Sequence, residues 1–505
     1  MLACRPPVGN EMKLTDRLNF PTSVAIAPGG AVYVAESGLA FDEAPAGGVI
    51  YRVHSDGSRS ELARNLRPPV NGITWHDESL IVSEGGHPGR IRRLCLRTGE
   101  MRLILDGLPG LGNYHTNKAV VGPDGKLYFS QGALTNSSVI GLDSLDLAWL
   151  RTVPHECDIP GYDITLTGWN AETRDPRRET PGSVRTGSFA LFGEEAHPGQ
   201  HIAGRVPCTA GVMRCNLDGS ALELVAWGLR NAYGLGFLRD GRLLATDQGA
   251  DARGSRPVWN CPDFLYEVRP GAWYGWPDFF GAQPITAGRF AGPDGTRQEF
   301  VLANHPELPP PENPLVEFEV NACAVRFVEL REPDEVSLLV ALFGDERPLT
   351  GPAGRPVGRA LVRVSLKDWT VHPTQPFPFQ RPIDVALDAS GNLYVVDFGH
   401  FEITADKGIA ARAGSGCIWK FPPGFLGAGF HDTVSFETDI MPVFRQFRGS
   451  MLWRFDLTNY DHVKANAAKI YEYIQTKQMP PPPYPPLTGD QVSSFKRWME
   501  SGYRR

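Results

Sequence analysis

The sequence lacks a surplus of basic charge, a long apolar run and any Cys-x-x-Cys pair. Its 505 residues carry 50 Lys and Arg against 57 Asp and Glu, a net charge of −7, so no basic field is present to hold the phosphates of a nucleic acid. No apolar run reaches the length of about 18 residues that a transmembrane helix requires. These absences exclude nucleic-acid binding and a membrane-spanning helix.

Two further absences concern the compartment and the cysteines. The opening MLACRPPVGNEMKLTDRLNF has neither the basic nor the apolar segment of a secretory signal peptide, so we expect a cytoplasmic protein, or an exported one whose leader was removed. The eight cysteines show no metal-ligand spacing, and buried free thiols are the expected state. In an exported protein, Cys208 and Cys215 would be the best disulfide candidate.

What the sequence has in abundance is turn-forming and aromatic residues. It contains 55 Gly and 44 Pro, with 11 Trp, 26 Phe and 14 Tyr. So many aromatic residues exclude a disordered chain, and so much Gly and Pro is typical of a turn-rich, β-rich fold. The length predicts two to four domains, or one large fold with an appendage.

An internal repeat organises most of the chain. In each copy a short apolar strand, a Gly or Asp turn and a second apolar strand precede a polar residue and Gly, and Gly accepts the positive φ that hairpin turns require. The six copies begin at Thr22, Asn71, Asn117, Tyr233, Cys323 and Ile383. Further strands between copies give two hairpins per repeat, and the first three copies recur about every 47 residues. The pattern predicts an all-β, six-bladed β-propeller over residues 1–425; the alternative is a two-sheet sandwich.

Two features modify this propeller. Later repeats are stretched by insertions, chiefly residues 133–205, and the sequence leaves open whether this insertion covers a pocket. Acidic residues recur at the ends of the second strands, at Glu36, Glu84, Asp247 and Asp397. Their recurrence indicates one structural acid per blade rather than catalytic groups.

From about Ser435 helical patterning replaces the strands, and residues 435–505 are predicted to form a small helical module. One helix has Val463, Ala467, Ile470 and Ile474 on one face, with Thr458 or Asn459 as its N-cap. A second helix, capped by Thr488, is predicted to bury Val492, Phe495, Trp498 and Met499.

The motifs GNYHTNKAVVGPDGKLYFSQG, WGLRNAYGLGFLRDGRLLATDQGA and GAWYGWPDFFG resemble those of the glucose/sorbosone dehydrogenase family. The family consists of six-bladed propellers and includes soluble aldose dehydrogenases that use pyrroloquinoline quinone (PQQ) and calcium. The resemblance spans roughly residues 15–425 and implies the same fold, with PQQ and calcium as expected cofactors.

The resemblance also implies site residues. His115 stands at the family's catalytic His, and a neutral imidazole suits removal of a hydroxyl proton as hydride departs; the alternative is a surface-loop His. Arg230 and Asn231 match the family's Arg-Asn pair, which contacts the quinone, and an Arg there stabilises charge on a quinone oxygen. A structural salt bridge is the alternative for Arg230.

Calcium is expected at Gln248, Gly249 and Ala250, where the family holds it mostly by backbone carbonyls, which suit this hard cation. Ala250 replaces a frequent Pro, and Asp247 or Asp251 could add a carboxylate; the alternative is a plain polar turn. Arg381 is predicted to point toward the central opening, either to bind an anion or to form a structural ion pair. Tyr114 and Trp276 either wall a pocket or pack in the blade core.

The C-terminal residues resemble the small c-type cytochrome modules fused to some oxidoreductases. The Cys-x-x-Cys-His motif is absent, and the last cysteine, Cys417, precedes the module, so covalent haem is excluded. Met479 stands where an axial Met would lie, but packing is the commoner role of such a Met. We interpret the region as a haem-free structural or docking module.

Three hypotheses for function follow. The first is a quinoprotein-type dehydrogenase that oxidises a sugar or related polar alcohol, with an electron acceptor that the sequence does not identify. The second is a redox-free propeller enzyme, such as a lactonase or another acid–base catalyst, that reuses His115. The third is a non-catalytic binding propeller whose helical tail docks a partner.

Overall fold

The chain divides into two compact units, Met1–Pro423 and Gly424–Arg505. The computed structural model describes residues 12–110, 112–176, 182–332, 335–352, 354–406, 408–425, 435–445, 447–448, 456–476, 478–482, 484, 486–487, 489–500, 502–503 and 505. The two units are described separately below.

The first unit contains six four-stranded antiparallel sheets among its described residues. Blade 1 consists of Pro21–Ile26, Val32–Glu36, Gly48–Val53 and Arg59–Leu66, and blade 2 of Val70–His76, Ser79–Glu84, Gly89–Cys95 and Met101–Leu108. Blade 3 consists of Val120–Val121, Leu127–Gln131, Gly211–Cys215 and Glu223–Trp227, and blade 4 of Ala232–Phe237, Leu243–Asp247, Phe264–Glu267 and Val316–Glu317. Blade 5 consists of Ala324–Arg331, Val336–Leu342, Ala360–Ser365 and Val371–Pro373, and blade 6 of Pro382–Leu387, Leu393–Asp397, Gly416–Phe421 and Lys13–Leu18. The predicted all-β, six-bladed propeller is confirmed, and the repeat that begins at Cys323 corresponds to blade 5.

The ring is closed by hydrogen bonds between distant parts of the chain. The strand Lys13–Leu18 pairs antiparallel with Gly416–Phe421, with Leu18 opposite Gly416. Blade 6 therefore takes its outer strand from the start of the propeller, and this pairing ties the first blade to the last.

Burial of the second strands explains why the repeats contain short runs of apolar residues. The second strands of blades 1, 2, 3, 4 and 6 are buried along their whole length, because both of their faces pack against other blades. The outer strand Arg59–Leu66 of blade 1 is mostly exposed. A strand covered on both faces loses the alternation of a half-buried strand and becomes a short continuous apolar run.

The recurring acidic residues are structural, as predicted. Each accepts a hydrogen bond from the backbone N–H of the residue 17 positions earlier, where its blade begins; the pairs are Glu36 with Asn19, Glu84 with Arg67, Asp247 with Arg230, and Asp397 with Gln380. Asp247 and Asp397 also accept from the next N–H, of Asn231 and Arg381. These carboxylates fix the segment that leads into each blade's first strand.

The insertion after blade 3's second strand packs against the propeller. Its helices are Asp143–Asp146 and Trp149–Thr152, and its ribbons pair Asn170–Arg174 with Ser183–Gly187 and Ile164–Thr165 with His201–Ile202. The remaining ribbons and 3-10 turns of the unit are Phe279–Phe280 with Gln283–Pro284, Phe401–Ile403 with Ile409–Ala411, Gly288–Phe290 and His305–Glu307. Trp149 donates its indole N–H to Asn113 Oδ1 at 3.0 Å, and Asp143 pairs with Arg253 at 2.6 Å.

The second unit is helical around its own apolar core. It contains the π-helical turn Phe436–Ile440 and the helices Met441–Arg445, Tyr460–Ala465, Ala467–Gln475 and Gly489–Glu500. The predicted face of Val463, Ala467, Ile470 and Ile474 is buried, and the Asn459 side chain accepts from His462 N as an N-cap. In the later helix Phe495 and Trp498 are buried, with Val492 and Met499 partly buried against them; Thr488 lies outside the described residues.

Met479 is 1% exposed within that core, in agreement with a packing role. The likeness of the module to cytochrome domains stays a prediction. Seven cysteines fall within the described residues and all are free thiols, Cys208 and Cys215 included. No helix in the described part of the chain is long and apolar enough to cross a membrane.

Candidate functional site

One cavity is lined by residues from all six blades. Its lining includes Thr22 and Phe41 of blade 1, Asn71 of blade 2, His115 and Asn117 of blade 3, Asn231 and Tyr233 of blade 4, Cys323 and Glu346 of blade 5, and Ile383 and Phe401 of blade 6, counting with each blade the loops that adjoin it. A space that all six blades share surrounds the axis of the propeller, and we call it the central cavity.

His115 lies in this wall with its ring held on one side. The Nδ1 atom is 2.6 Å from the Gly110 carbonyl oxygen, which only accepts, so Nδ1 carries the proton and Nε2 is the acceptor of the neutral ring. Burial lowers the pKa of His115, and the bond to Gly110 opposes this only in part. The ring is therefore neutral near pH 7, the form that removes a proton.

Close packing places His115 in the wall. A Cβ on Gly85 would lie 2.7 Å from His115 Cβ, closer than side-chain carbons approach, so Gly85 provides the space for the ring. Gly132 likewise leaves room for Tyr114, whose Cβ would be 2.3 Å from an added methyl group.

A chain of side-chain hydrogen bonds runs along the wall across blades 3, 4 and 5. Asn117 Nδ2 donates to Asn231 Oδ1 at 3.0 Å, and Asn231 Nδ2 donates to Gln248 Oε1 at 2.7 Å. Gln248 Nε2 then donates to Cys323 Sγ at 2.8 Å. These bonds fix the orientation of two predicted site residues, Asn231 and Gln248, on the central cavity.

Glu346 is the one carboxylate of the central cavity among the described lining residues, which include no Lys or Arg. Burial raises its pKa, with Arg381 opposing. Phe41, Phe343, Phe398 and Phe401 provide an apolar side. Amides, hydroxyls and aromatic rings together are the surroundings that suit a small, polar, polyhydroxylated ligand.

A second cavity shares five lining residues with the central cavity, Asn113, Tyr114, Gln248, Cys323 and Glu346. Its further lining includes Arg230, Gly249, Ala250, Asp251 and Arg253, and Leu147 of the insertion. The insertion thus contributes to the wall of this second cavity.

Arg230 is buried and fully engaged by protein. Its Nε donates to Asn136 O at 3.1 Å, Nη2 donates to Asn136 Oδ1 and Asp251 Oδ2 at 2.7 Å each, and Nη1 donates to the carbonyls of Gln248 and Gly249. These bonds use all five N–H groups of the guanidinium. The Tyr114 ring covers its face at 4.5 Å.

This arrangement does not fit PQQ and calcium in the way that the resemblance implies. Arg230 has no N–H left for a quinone oxygen, and the carbonyls of Gln248 and Gly249 face its guanidinium rather than an open cation site. PQQ carries carboxylates. The described lining of the central cavity has no Lys or Arg, and the two arginines of the second cavity, Arg230 and Arg253, already pair with Asp251 and Asp143. Within the described chain no group of three or more His, Cys, Asp or Glu could hold a metal ion.

The remaining predicted residues have three different surroundings: a structural ion pair, the cavity wall and the core. Arg381 is 1% exposed and donates to Phe401 O, Asp345 O and Glu402 Oε2, the structural ion pair of its two alternatives. Tyr114 lines both cavities. Trp276 is buried, packs against Phe189 and donates to Asn136 O, so it belongs to the core.

Sequence reasoning missed Glu346, Cys323 and Asn117 as cavity residues. The signal for Glu346 was present, because GDE follows a second strand as the structural acids do. The neighbouring Asp345 accepts a backbone hydrogen bond from Val357 N, whereas the Glu346 carboxyl group accepts none from the residues that the structure describes. Cys323 and Asn117 occur in ordinary strand sequences, and only the closed ring brings them to the axis.

Comparison with known proteins gives structural likenesses alone. No protein-family model and no curated protein matches the chain. Similar solved structures include a candidate oxidoreductase (glucose dehydrogenase) of Thermus thermophilus, with a TM-score of 0.49 and 17% identity over 81% of this chain and 98% of the other. The PQQ-bound aldose sugar dehydrogenase of Streptomyces coelicolor gives 0.48 and 17% over 81% and 96%.

The apo form of the soluble aldose sugar dehydrogenase of Escherichia coli gives a TM-score of 0.47 and 12% identity over 81% of this chain and 98% of the other. These structures are the sugar dehydrogenases that the sequence motifs resemble. At such scores and identities the likeness carries no conclusion about the activity of this chain.

Proposed function

We propose that this chain is an enzyme that oxidises a sugar or a related alcohol in the central cavity, with His115 as general base. The observation that carries the proposal is the His115 ring, neutral and held at Nδ1 by Gly110, in the wall of a cavity shared by six blades. A positioned base near its working pH contributes about 10²–10⁴-fold to proton transfer.

The chain's own residues account for binding and for the proton. Asn71 and Asn231 each use one amide N–H within the described chain, toward Thr116 O and Gln248 Oε1, and offer the other to the hydroxyls of the substrate. The phenylalanine side of the cavity covers its C–H face. His115 Nε2 takes the proton of the hydroxyl that is oxidised, and the hydride goes to an added two-electron acceptor, a quinone or a dye. The ordered amide chain through Asn231 keeps the polar groups in place before the substrate arrives, which lowers the entropic cost of binding.

The resemblance predicts PQQ with calcium, and PQQ supplies a hydride acceptor when bound. Because Arg230, Gln248 and Gly249 are engaged with one another, we assign no step to a quinone or a metal held by these residues.

The same observation favours a second candidate, a redox-free acid–base enzyme such as a lactonase. A neutral His115 can activate water for attack on a lactone without any cofactor. The amide groups of the cavity wall would then bind the sugar lactone.

One set of assays separates the candidates. The purified protein is tested alone and after incubation with PQQ and calcium, for dye-linked oxidation of a sugar and alcohol panel and for hydrolysis of sugar lactones, with His115→Ala in parallel. Dye reduction that needs His115 supports the oxidoreductase. Lactone hydrolysis that needs His115, without dye reduction, supports the second candidate. Activity that persists in His115→Ala contradicts His115 as the base in either candidate. No activity at all contradicts both candidates and leaves the binding propeller.

A further inference from the structure

Glu346 stands apart from the other acidic residues near the cavities because no hydrogen bond to its carboxyl group is formed within the described part of the chain. Its backbone is well held, since the Glu346 carbonyl accepts from Leu349 N and Thr350 N. Its neighbours show the contrast. Asp345 accepts from Val357 N, and Glu402 pairs with Arg359 and Arg381.

The charge of this carboxylate is not balanced inside the central cavity. The described lining residues include no Lys or Arg. They include one side chain whose ordinary pKa lies near neutral pH, His115, and its ring is neutral near pH 7. Two arginines near it oppose the rise of its pKa, and both are engaged elsewhere. Arg381 donates to Glu402 and to two backbone carbonyls, and Arg253 pairs with Asp143 and Asp251. Burial raises the pKa of the neighbouring Cys323 thiol, and the charge of Glu346 adds to that rise.

An unpaired carboxylate in a half-enclosed cavity acts on ligands through its charge. Removed from bulk water, a like charge a few ångströms away is repelled far more strongly than in solvent, and an opposite charge is attracted. A carboxylate that held the fold together would have protein partners, as Asp345 and Glu402 have.

We propose that Glu346 makes the central cavity selective for ligand charge, so that it accepts polyols and sugars bearing an amine, or no charge, and rejects carboxylated and phosphorylated ones. This inference rests on the proposed function of the cavity as a sugar or alcohol site. Glu346 is here a specificity-determining residue, and the ammonium of an amino polyol would be its partner.

The test uses three six-carbon polyols that differ only at C1: glucamine, with an ammonium group, sorbitol, which is neutral, and gluconate, with a carboxylate. Binding to the full chain is measured by calorimetry at pH 7.5 and constant ionic strength. We expect glucamine to bind most tightly and gluconate at least about tenfold more weakly than glucamine.

In Glu346→Gln the difference between glucamine and gluconate should fall to within about threefold, while sorbitol changes little. The matched control is Glu100→Gln, which removes the same charge from an exposed side chain on blade 2 that pairs with Arg102, and it should keep the full difference. His115→Ala should also keep the order of binding while it loses turnover.

Equal binding of the three polyols to the wild-type chain overturns the charge selectivity, whether or not the variant folds. So does an unchanged preference in Glu346→Gln. If the polyols bind alike and His115-dependent turnover persists, the inference alone has failed. If none of them binds and no sugar or alcohol is turned over, the proposed function has failed and the inference with it.

Discussion

The His115 ring is held at Nδ1 by the Gly110 carbonyl, which leaves Nε2 as the atom that takes up a proton. Replacement by Ala should slow the chemical step by about 10²–10⁴-fold. Because burial holds the pKa of His115 below its ordinary value of 6.5, kcat/KM should rise with pH through a value below 6.5 and then level off. Steady-state kinetics from pH 4.5 to 8 on both proteins checks this, and the acidic limb should disappear in the variant.

His54→Ala is the control, since His54 is an exposed residue that bonds Ser60 on blade 1. Its kinetics and its pH profile should match the wild type. Near-normal turnover in His115→Ala would show that His115 is not the base.

Arg230 leads to a different expectation because all N–H groups of its guanidinium donate to other groups of the protein. Arg230→Met should lower the free energy of unfolding by about 3–5 kcal/mol, since Asp251, the Asn136 side chain and three backbone carbonyls lose their buried donor. Denaturant unfolding measures it, with Arg242→Met as control, an exposed pair with Asp240 on the same blade where the loss should be much smaller. A stable Arg230→Met with weakened PQQ binding would instead show a cofactor ligand.

Individual residues also show where prediction from sequence stops. The motifs place His115, Asn231 and Gln248 at the site, and the structure does bring their side chains to the central cavity. The engagement of Arg230 by Asn136 and Asp251 was not predictable, because these partners come from the insertion and from a loop of another hairpin. Sequence spacing carries no information on such contacts.

At the scale of elements, the hairpins were predictable because each repeat contains its own local determinants. Turn glycines, apolar strands and, in blades 1, 2, 4 and 6, the acid 17 residues after the segment that leads into the blade act within a single hairpin. The strand Lys13–Leu18 is the exception, since its partner Gly416–Phe421 lies at the other end of the propeller.

The structural acids give the prediction at this scale. Asp397→Ala should lower the free energy of unfolding by about 1–3 kcal/mol, because the N–H groups of Gln380 and Arg381 lose their acceptor. Asp397→Asn keeps an acceptor oxygen and should cost less. Chemical denaturation of the two variants compares them, and equal stability of Asp397→Ala and wild type would contradict the anchoring role.

Across the whole molecule, one buried carboxylate links most of the blades at the axis. Asp384 of blade 6 accepts from Ser23 and from Val24 N of blade 1, and Lys118, which leads into blade 3, donates to it at 3.0 Å. Arg326 of blade 5 lies 3.4 Å away and donates to backbone carbonyls of Thr22 and Asn71. Four blades therefore meet at this carboxylate, and Arg326 connects it to a fifth, blade 2.

This network predicts a pH-dependent stability. Burial alone would raise the pKa of Asp384, but Lys118 and Arg326 hold it below its ordinary value of 3.8. A lowered pKa means that the folded state binds fewer protons, so this stabilisation is present above about pH 4 and is lost as pH falls further. Asp384→Asn should therefore lower the free energy of unfolding by about 3–5 kcal/mol at pH 7, because two buried cations lose their partner. The difference in unfolding free energy between the variant and the wild type should become smaller below pH 4.

Urea unfolding at pH 7 and at pH 3 measures both differences in the same buffer system. Asp368→Asn, which changes an exposed turn carboxylate on blade 5 bonded to Thr370, serves as the control for charge alone. If the unfolding free energies of Asp384→Asn and wild type differ little at pH 7, or differ as much at pH 3 as at pH 7, the axial carboxylate does not stabilise the propeller through its charge. A smaller difference at pH 3 would place the acid sensitivity of the propeller at its axis rather than at its surface ion pairs, which are worth little individually.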